Sequence, residues 1–202
     1  LLILNEISKI NNISWNYVVF MLIVAIASFA GFWMTGKKSR HPLVPIRYLK
    51  QKSTWSLLLT TVLTMCGVFA VINGLVMSYV QNHEVGFGLS ADWAGFVLLT
   101  PYALTGWLIG PLSGRFAPVI GYANVLRIGL LGSVISIAVI SYAGLHSLPI
   151  LIAAVVAAGA VYAGMANIML NALGIVLSPE ENAGMLPGLN AGAFHLGAGL
   201  SF

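Results

Sequence analysis

Residues 149–177 read PILIAAVVAAGAVYAGMANIMLNALGIVL and contain no charged side chain. A bilayer hydrocarbon core of about 30 Å is crossed by about 20 helical residues, each of which rises 1.5 Å. Backbone N–H and C=O groups cannot stay unpaired in lipid, so an apolar run of this length forms a helix. The stretch therefore predicts one transmembrane helix that is long enough to tilt in the membrane.

Other stretches of the chain repeat this apolar pattern. Residues 15–35, 54–80, 93–110 and 125–143 meet or approach the required length, and an incomplete run covers residues 185–202. Hydrophobic residues make up 59% of the chain and charged residues 7%, whereas charged residues make up about 25% of soluble domains. The sequence therefore predicts an all-α protein, a polytopic transmembrane helix bundle whose main partner is the lipid bilayer.

The positive charges cluster between the first and second predicted spans. Of the nine Lys and Arg residues, those in this connection are Lys37, Lys38, Arg40, Arg47, Lys50 and Lys52. Because loops rich in Lys and Arg stay on the cytoplasmic side, residues 37–53 are predicted to be cytoplasmic. Alternate threading then places Arg115 and Arg127 on the same side. The sequence predicts a multi-pass protein of the cell (plasma) membrane.

The basic connection also divides the chain into its predicted parts. An outer segment with the first helix covers residues 1–36, the connection covers 37–53, and a transmembrane bundle covers 54–202. Within the connection, Leu43, Ile46 and Leu49 have near-helical spacing, which indicates a short amphipathic helix on the membrane surface. The connection is a topology anchor or, alternatively, a lipid-sensing switch. Since the cations form short runs between apolar segments, no nucleic-acid partner is expected.

The sequence lacks the residue patterns that usually carry enzyme chemistry. No His, Cys and acidic residues cluster at metal-ligand spacing, and no glycine-rich loop has a phosphate-binding form. No nucleophile has a base and an orienting group in a recognisable arrangement. Cys66 is the single cysteine, so no intrachain disulfide can form. We expect no enzymatic activity, no metal and no cofactor.

Polar side chains inside the predicted spans are few and uncharged. No Asp, Glu, Lys or Arg lies well inside a span, so a proton relay through this region is not expected. The intramembrane polar residues are Asn73, Tyr102, Tyr162, Asn167, Asn171, Asn190 and His195. Asn167 and Asn171 are four apart and share a helix face, which suits either interhelical hydrogen bonding or a wet cavity wall. His195 has an imidazole, which suits either a structural hydrogen bond or a protonation role.

Glycines at regular spacing form the other recurrent feature of the predicted spans. Gly106, Gly110 and Gly114 lie at positions i, i+4 and i+8, and Gly188 and Gly192 repeat the spacing. Because glycine has no side chain, such seams let two helices approach closely. Both a static bundle and a transporter with rocking helices use seams of this kind.

Several motifs occur in an order that indicates a family. A basic stretch precedes Pro42-Leu-Val and Ile46-Arg-Tyr-Leu49, and the next stretches are LLTPYAL at 98–104 and GPLSGR at 110–115. SPEENAG at 178–184 then leads into Gly188, Asn190 and Gly197. In this order the chain resembles the major facilitator superfamily of transporters, specifically its fourteen-span drug:proton antiporters, a family of multidrug exporters.

The signature cytoplasmic loop of that superfamily is present only as a degenerate copy. Its pattern is Gly, three residues, Asp, Arg, any residue, Gly and two basic residues. Here Pro118 and Val119 stand in place of the Asp and the Arg. The residues that mark the degenerate loop are Gly114, Arg115, Ala117 and Gly121. A gating salt bridge from this loop is therefore not expected.

The resemblance implies that this chain is the eighth span through part of the thirteenth. The activity it implies is proton-coupled export of drug-like or amphipathic small molecules by alternating access. The substrate path would run between this half and a missing first half, which would also hold the proton-coupling acids. Candidate path residues are Asn73, Tyr102, Asn167, Asn171, Asn190 and His195. Two alternatives stay open: an uptake permease of the same superfamily, and a non-transporting membrane scaffold protein.

Overall fold

The computed structural model describes residues 15–38, 48 and 50–201 of the chain. These residues form helices and short connections without a β-strand, which confirms the all-α prediction. The helices are α1 (Trp15–Lys38), α2 (Lys52–Gln81), α3 (Ala91–Ile120), α4 (Tyr122–Tyr142), α5 (Leu148–Val176) and α6 (Met185–Leu200). The amphipathic helix predicted around Leu43, Ile46 and Leu49 lies outside the described residues.

Within the described residues, four helices are long and apolar enough to span a membrane. These are α2, α3, α5 and the stretch Tyr122–His146, which is α4 with the short 3₁₀ turn that follows it. In α1, the segment Trp15–Ser28 is apolar but shorter. Large apolar side chains are exposed along α2 and α4, as a lipid-facing surface requires; Leu63 and Leu131 are examples. The predicted transmembrane helix bundle is confirmed.

Helix α3 extends beyond the bound that the sequence suggested. The predicted span ends at Gly110, whereas the helix continues through Pro111 and Pro118 to Ile120. Hydropathy falls at this proline-containing stretch, yet helices in membranes tolerate proline where neighbouring helices support the backbone. Gly121 then ends the helix with a φ of 96°, and its N–H donates to the carbonyl of Ala117 at 2.8 Å. Because α4 begins at the next residue, a single glycine joins α3 to α4.

Three helices contain π-helical segments, which the sequence did not predict. They are Met65–Val76 in α2, Gly95–Leu99 in α3 and Gly159–Ala166 in α5. In α3 the segment precedes Pro101, which has no N–H to donate to the preceding turn. The Thr100 hydroxyl donates to the carbonyl of Gly95 at 3.3 Å and so satisfies part of the irregular backbone. Segments of this type are rare and often occur at functional sites.

The chain divides into two compact units. The first combines Leu1–Cys66 with Leu177–Phe202, and the second is Gly67–Val176. In the second unit, α5 packs against α3 and α4, and its core includes Ala117, Val125 and Met169. In the first unit, α6 packs on the N-terminal part of α2. The boundary falls inside α2, next to the start of its π-helical segment.

Candidate functional site

In the second unit, the contact between α3 and α5 depends on residues without side chains. A Cβ atom placed on Gly106 would lie 2.7 Å from the Cβ of Ala163, and one on Gly164 would lie 2.7 Å from the Cβ of Ile109. A Cβ atom on Gly159 would overlap the carbonyl of Tyr102. These distances leave no room for a side chain, so the glycines hold the two helices close together. We call this contact the α3–α5 seam.

Polar groups cluster at the α3–α5 seam. The Thr105 hydroxyl lies 2.8 Å from the Pro101 carbonyl of its own helix and 3.2 Å from the Val156 carbonyl of α5. Tyr162 is buried, with 4% of its surface exposed, and lies three positions after Gly159, the glycine that meets the Tyr102 carbonyl. Tyr102 itself is only partly buried. The seam therefore brings the predicted path residue Tyr102 together with Thr105 and Tyr162.

Neither Thr105 nor Tyr162 was among the predicted path residues. The sequence shows Tyr162 as an intramembrane phenol, but Tyr102 on α3 lies 60 positions away in the chain. Thr105 directly precedes Gly106, the first glycine of the predicted packing seam. A hydroxyl next to such a glycine is a signal that points to the same helix contact.

The two asparagines of α5 form a pair near the end of that helix. The Asn171 side-chain amide donates to the backbone carbonyl of Asn167 at 3.0 Å and lies 3.2 Å from its side-chain oxygen. Asn171 is exposed, and Asn167 is partly buried. An exposed amide is unfavourable against hydrocarbon, so this face suits water or a polar surface better than lipid.

Asn73 occupies the π-helical segment of α2. Its amide donates to the carbonyl of Phe69, one turn earlier in the same helix, at 3.5 Å. The side chain is partly buried. Among the hydrogen bonds described for Asn73, none brings it to Tyr102, Asn167 or Asn171.

Asn190 and His195 belong to the first unit, where they have different environments. Asn190 is fully buried, and its side-chain oxygen accepts a hydrogen bond of 2.6 Å from the Thr61 hydroxyl of α2. His195 is exposed. Five helical positions correspond to a rotation of about 140°. The two side chains consequently point to different faces of α6, and the structure does not bring them together.

The predicted packing glycines also fall into two groups. Gly106 and Gly110 face α5, and a Cβ atom on Gly110 would lie 3.4 Å from Ile168. Around Gly114, Gly188 and Gly192, no heavy atom lies within 4 Å of the added Cβ position. In the first unit, the close approach of α6 to α2 occurs at Gly197, where an added Cβ would lie 2.5 Å from the Val62 carbonyl.

The residues of the degenerate loop belong to the end of α3. Ala117 is buried, and Gly121 forms the turn. The segment is helical as far as Ile120, and Arg115 is exposed on it. Within the described residues, no group of three or more His, Cys, Asp and Glu side chains is placed to hold a metal ion.

An open groove of about 440 Å³ lies between α4 and α5 of the second unit. Its lining includes Ile135, Val139 and Ile150, with Ser136 as the polar member. The Ser136 hydroxyl donates to the Gly132 carbonyl of its own helix at 2.9 Å. Because the Ser136 hydroxyl already donates within its own helix, the groove offers few polar groups that could recognise a polar solute.

Comparison with known proteins shows that this chain is similar to a transporter. The chain is 51% identical over 190 residues to the uridine/deoxyuridine transporter of Lactococcus lactis subsp. cremoris (strain MG1363). The alignment covers 94% of this chain and 40% of that protein, so the chain spans less than half of the relative's length. No family model and no solved structure matches the chain. The chain is thus a multi-pass membrane protein whose sequence is similar, over nearly its whole length, to part of a transporter.

Proposed function

We propose that this chain is part of a membrane transporter that carries nucleosides such as uridine and deoxyuridine by alternating access. The observation that carries the proposal is the 51% identity over 190 residues to a transporter named for these two solutes. Of the functions considered from the sequence, the uptake permease fits this relative better than the drug exporter, because a nucleoside is not an amphipathic drug-like compound. The relative also favours a transporter over a scaffold.

The chemistry of the candidate path residues supports a polar, uncharged solute. A nucleoside presents sugar hydroxyls and the polar edge of a base, and an amide side chain can donate to and accept from such groups. Asn171 is an exposed amide in a membrane-spanning helix, and Tyr102 adds a partly exposed aromatic ring at the α3–α5 seam. No Asp, Glu, Lys or Arg lies well inside the predicted spans, which agrees with a solute that carries no charge.

The remaining path residues have different weights in the proposal. Asn73 and Asn167 are partly buried, so part of each side chain remains accessible to a solute. We therefore include both in the proposed substrate path. Asn190, in the first unit, is fully buried and bonded to Thr61, so we do not expect it to contact the solute. His195 is exposed and is proposed to contact solute or the rest of the protein. We also propose that transport is coupled to protons and that the first half of the same transporter completes the substrate path. The proposed location is the plasma membrane.

Uridine uptake tests the proposal directly. The full-length protein would be expressed in bacterial cells that lack nucleoside uptake, and initial entry of radiolabelled uridine would be measured. We expect saturable uptake that unlabelled deoxyuridine reduces, and a protonophore should reduce it as well if transport is proton-linked. A fluorescent cationic dye serves as the control solute and should accumulate equally with and without expression.

Two results would contradict the nucleoside proposal. Lower dye accumulation without uridine entry would indicate drug export, as the family resemblance first suggested. No change for either solute, with the protein present in the membrane, would favour the scaffold.

A further inference from the structure

The hairpin between α3 and α4 places two arginines at the same depth. Gly121 is the single connecting residue, Arg115 lies six positions before it, and Arg127 lies six positions after it. At 1.5 Å per residue, both Cα atoms are about 9 Å from the turn along antiparallel helices. Both side chains are exposed. Two exposed arginines therefore lie at the same level of one hairpin.

Large apolar side chains are exposed beside these arginines in the second unit. Phe116, Val119 and Ile128 are 53%, 84% and 50% exposed, which is typical of a surface in contact with acyl chains. The acids of the same unit are Glu84 and Asp92, at the opposite end of α3. Among the described residues of this unit, the two guanidinium groups consequently have no carboxylate partner at their end of the helices.

Asn124 directs one of the arginines toward the turn. Its side-chain amide donates to the carbonyl of Ile120 at 3.0 Å, which ties it to the end of α3. Its side-chain oxygen accepts a hydrogen bond from Nη1 of Arg127 at 3.4 Å. Because Asn124 is about one turn closer to Gly121, the guanidinium group of Arg127 points toward the turn between the helices. A guanidinium has five N–H groups, so several remain for another acceptor.

We propose that Arg115 and Arg127 form a binding site for the phosphate of an anionic membrane lipid, with Asn124 as a positioning residue. Arginine binds phosphate in a bidentate manner, and basic surfaces between transmembrane helices attract anionic head groups. The exposed apolar residues beside the arginines would contact the acyl chains of the same lipid. The site lies at the end of the helices that the positive-inside rule assigns to the cytoplasm, and it is independent of the transported solute.

Lipid binding to the full-length protein tests this site. The protein in detergent would be titrated with phosphatidylglycerol or phosphatidylcholine, and bound lipid would be counted by native mass spectrometry. We expect tighter binding of phosphatidylglycerol, and a loss of about fivefold in its affinity for each arginine removed in R115Q and R127Q. The control variant H146Q replaces an exposed imidazole beyond the opposite end of α4 and should change the affinity less than twofold.

Further arms separate the possible sources of the effect. R115K/R127K keeps both charges and should keep part of the affinity, since lysine lacks the planar fork of arginine. N124A should lower the preference for phosphatidylglycerol over phosphatidylcholine while circular dichroism shows unchanged helix content. Free inorganic phosphate at millimolar concentration should not displace the lipid, because the acyl chains contribute to binding. Equal losses in H146Q and R115Q/R127Q, no loss in either, or displacement by inorganic phosphate would overturn the proposal.

Discussion

Two helix contacts, one in each unit, use different means to hold helices together. At the α3–α5 seam, glycines such as Gly106 and Gly159 let the backbones meet, and the polar Tyr102 remains partly exposed beside them. Between α2 and α6, Thr61 and Asn190 form a hydrogen bond in which both side chains are fully buried. The first contact leaves polar chemistry at an accessible surface, whereas the second uses all of its polar chemistry internally.

This difference distinguishes polar residues that can serve a solute from those that serve the fold. A fully buried amide such as Asn190 cannot reach a solute without opening its helix contact. An exposed amide such as Asn171 can. Because hydrogen bonds between membrane helices contribute about 0.6 kcal/mol on average and steric overlap costs more, the two contacts should also differ in sensitivity to mutation.

The largest effect is expected from a methyl group added at the α3–α5 seam. Gly159→Ala places a Cβ atom against the Tyr102 carbonyl and the Thr105 hydroxyl, so the two helices must separate. We expect the free energy of unfolding to fall by about 2 kcal/mol, as for other overpacked cores. Unfolding in a titration with a denaturing detergent, followed by circular dichroism, measures it.

Gly192→Ala is the matched control for this variant. It adds the same methyl group to a helix position where no heavy atom lies within 4 Å, so it should not lower stability. Equal losses in the two variants would show that helix flexibility, and not close approach, explains the glycines of both units.

A smaller effect is expected at the buried hydrogen bond of the other contact. Thr61→Val keeps the shape of the side chain but leaves the Asn190 oxygen without its hydroxyl donor. We expect a loss of about 1 kcal/mol in the same unfolding titration, because this acceptor is removed from water. Thr60→Val is the control, since Thr60 donates only to the carbonyl of Ser56 in its own helix among the bonds described for it.

One result of this pair of variants would contradict the prediction. If Thr60→Val and Thr61→Val lower stability equally, the bond within the helix carries the effect and the α2–α6 hydrogen bond contributes nothing. The double variant Thr61→Val/Asn190→Val then provides a check, because removing both partners should restore part of the lost stability.

The two contacts also show what the sequence could and could not predict. The helices follow from apolar length, and the pairing of Asn167 with Asn171 follows from the helical period because both residues belong to one helix. The hydrogen bond between Thr61 and Asn190 joins residues 129 positions apart, and no local pattern carries that information. The predicted span ends at Gly110, whereas the helix continues through Pro111 and Pro118 because neighbouring helices support its backbone.

The same limit applies to the glycines and the candidate site. Spacing predicts a seam at Gly106 and Gly110 and predicts one equally at Gly188 and Gly192, whereas in the structure only the first pair packs against another helix. Thr105 of α3 and Tyr162 of α5 become candidate site residues only when the two helices pack together, which the sequence does not show. Burial, which depends on the whole arrangement, divides the predicted path residues more sharply than their polarity does.

The smallest effect is expected at Asn171, and it concerns transport more than stability. Asn171→Ala removes an exposed amide whose described partner is Asn167 in the same helix, so the free energy of unfolding should barely change. If the amide bonds a neutral nucleoside in the path, its loss should raise the KM for uridine about two- to fivefold, less than 1 kcal/mol. Initial uptake rates, normalised to protein in the membrane, provide the measurement.

Asn190→Ala is the counterpart that makes this result interpretable. Because Asn190 is buried and bonded to Thr61, its removal should reduce the amount of folded protein while the remaining protein keeps the normal KM. A raised KM in Asn190→Ala together with an unchanged KM in Asn171→Ala would reverse the assignment that exposure suggests. It would place the solute within reach of α6, which would require the α2–α6 contact to open during transport and would make its single hydrogen bond part of the transport cycle.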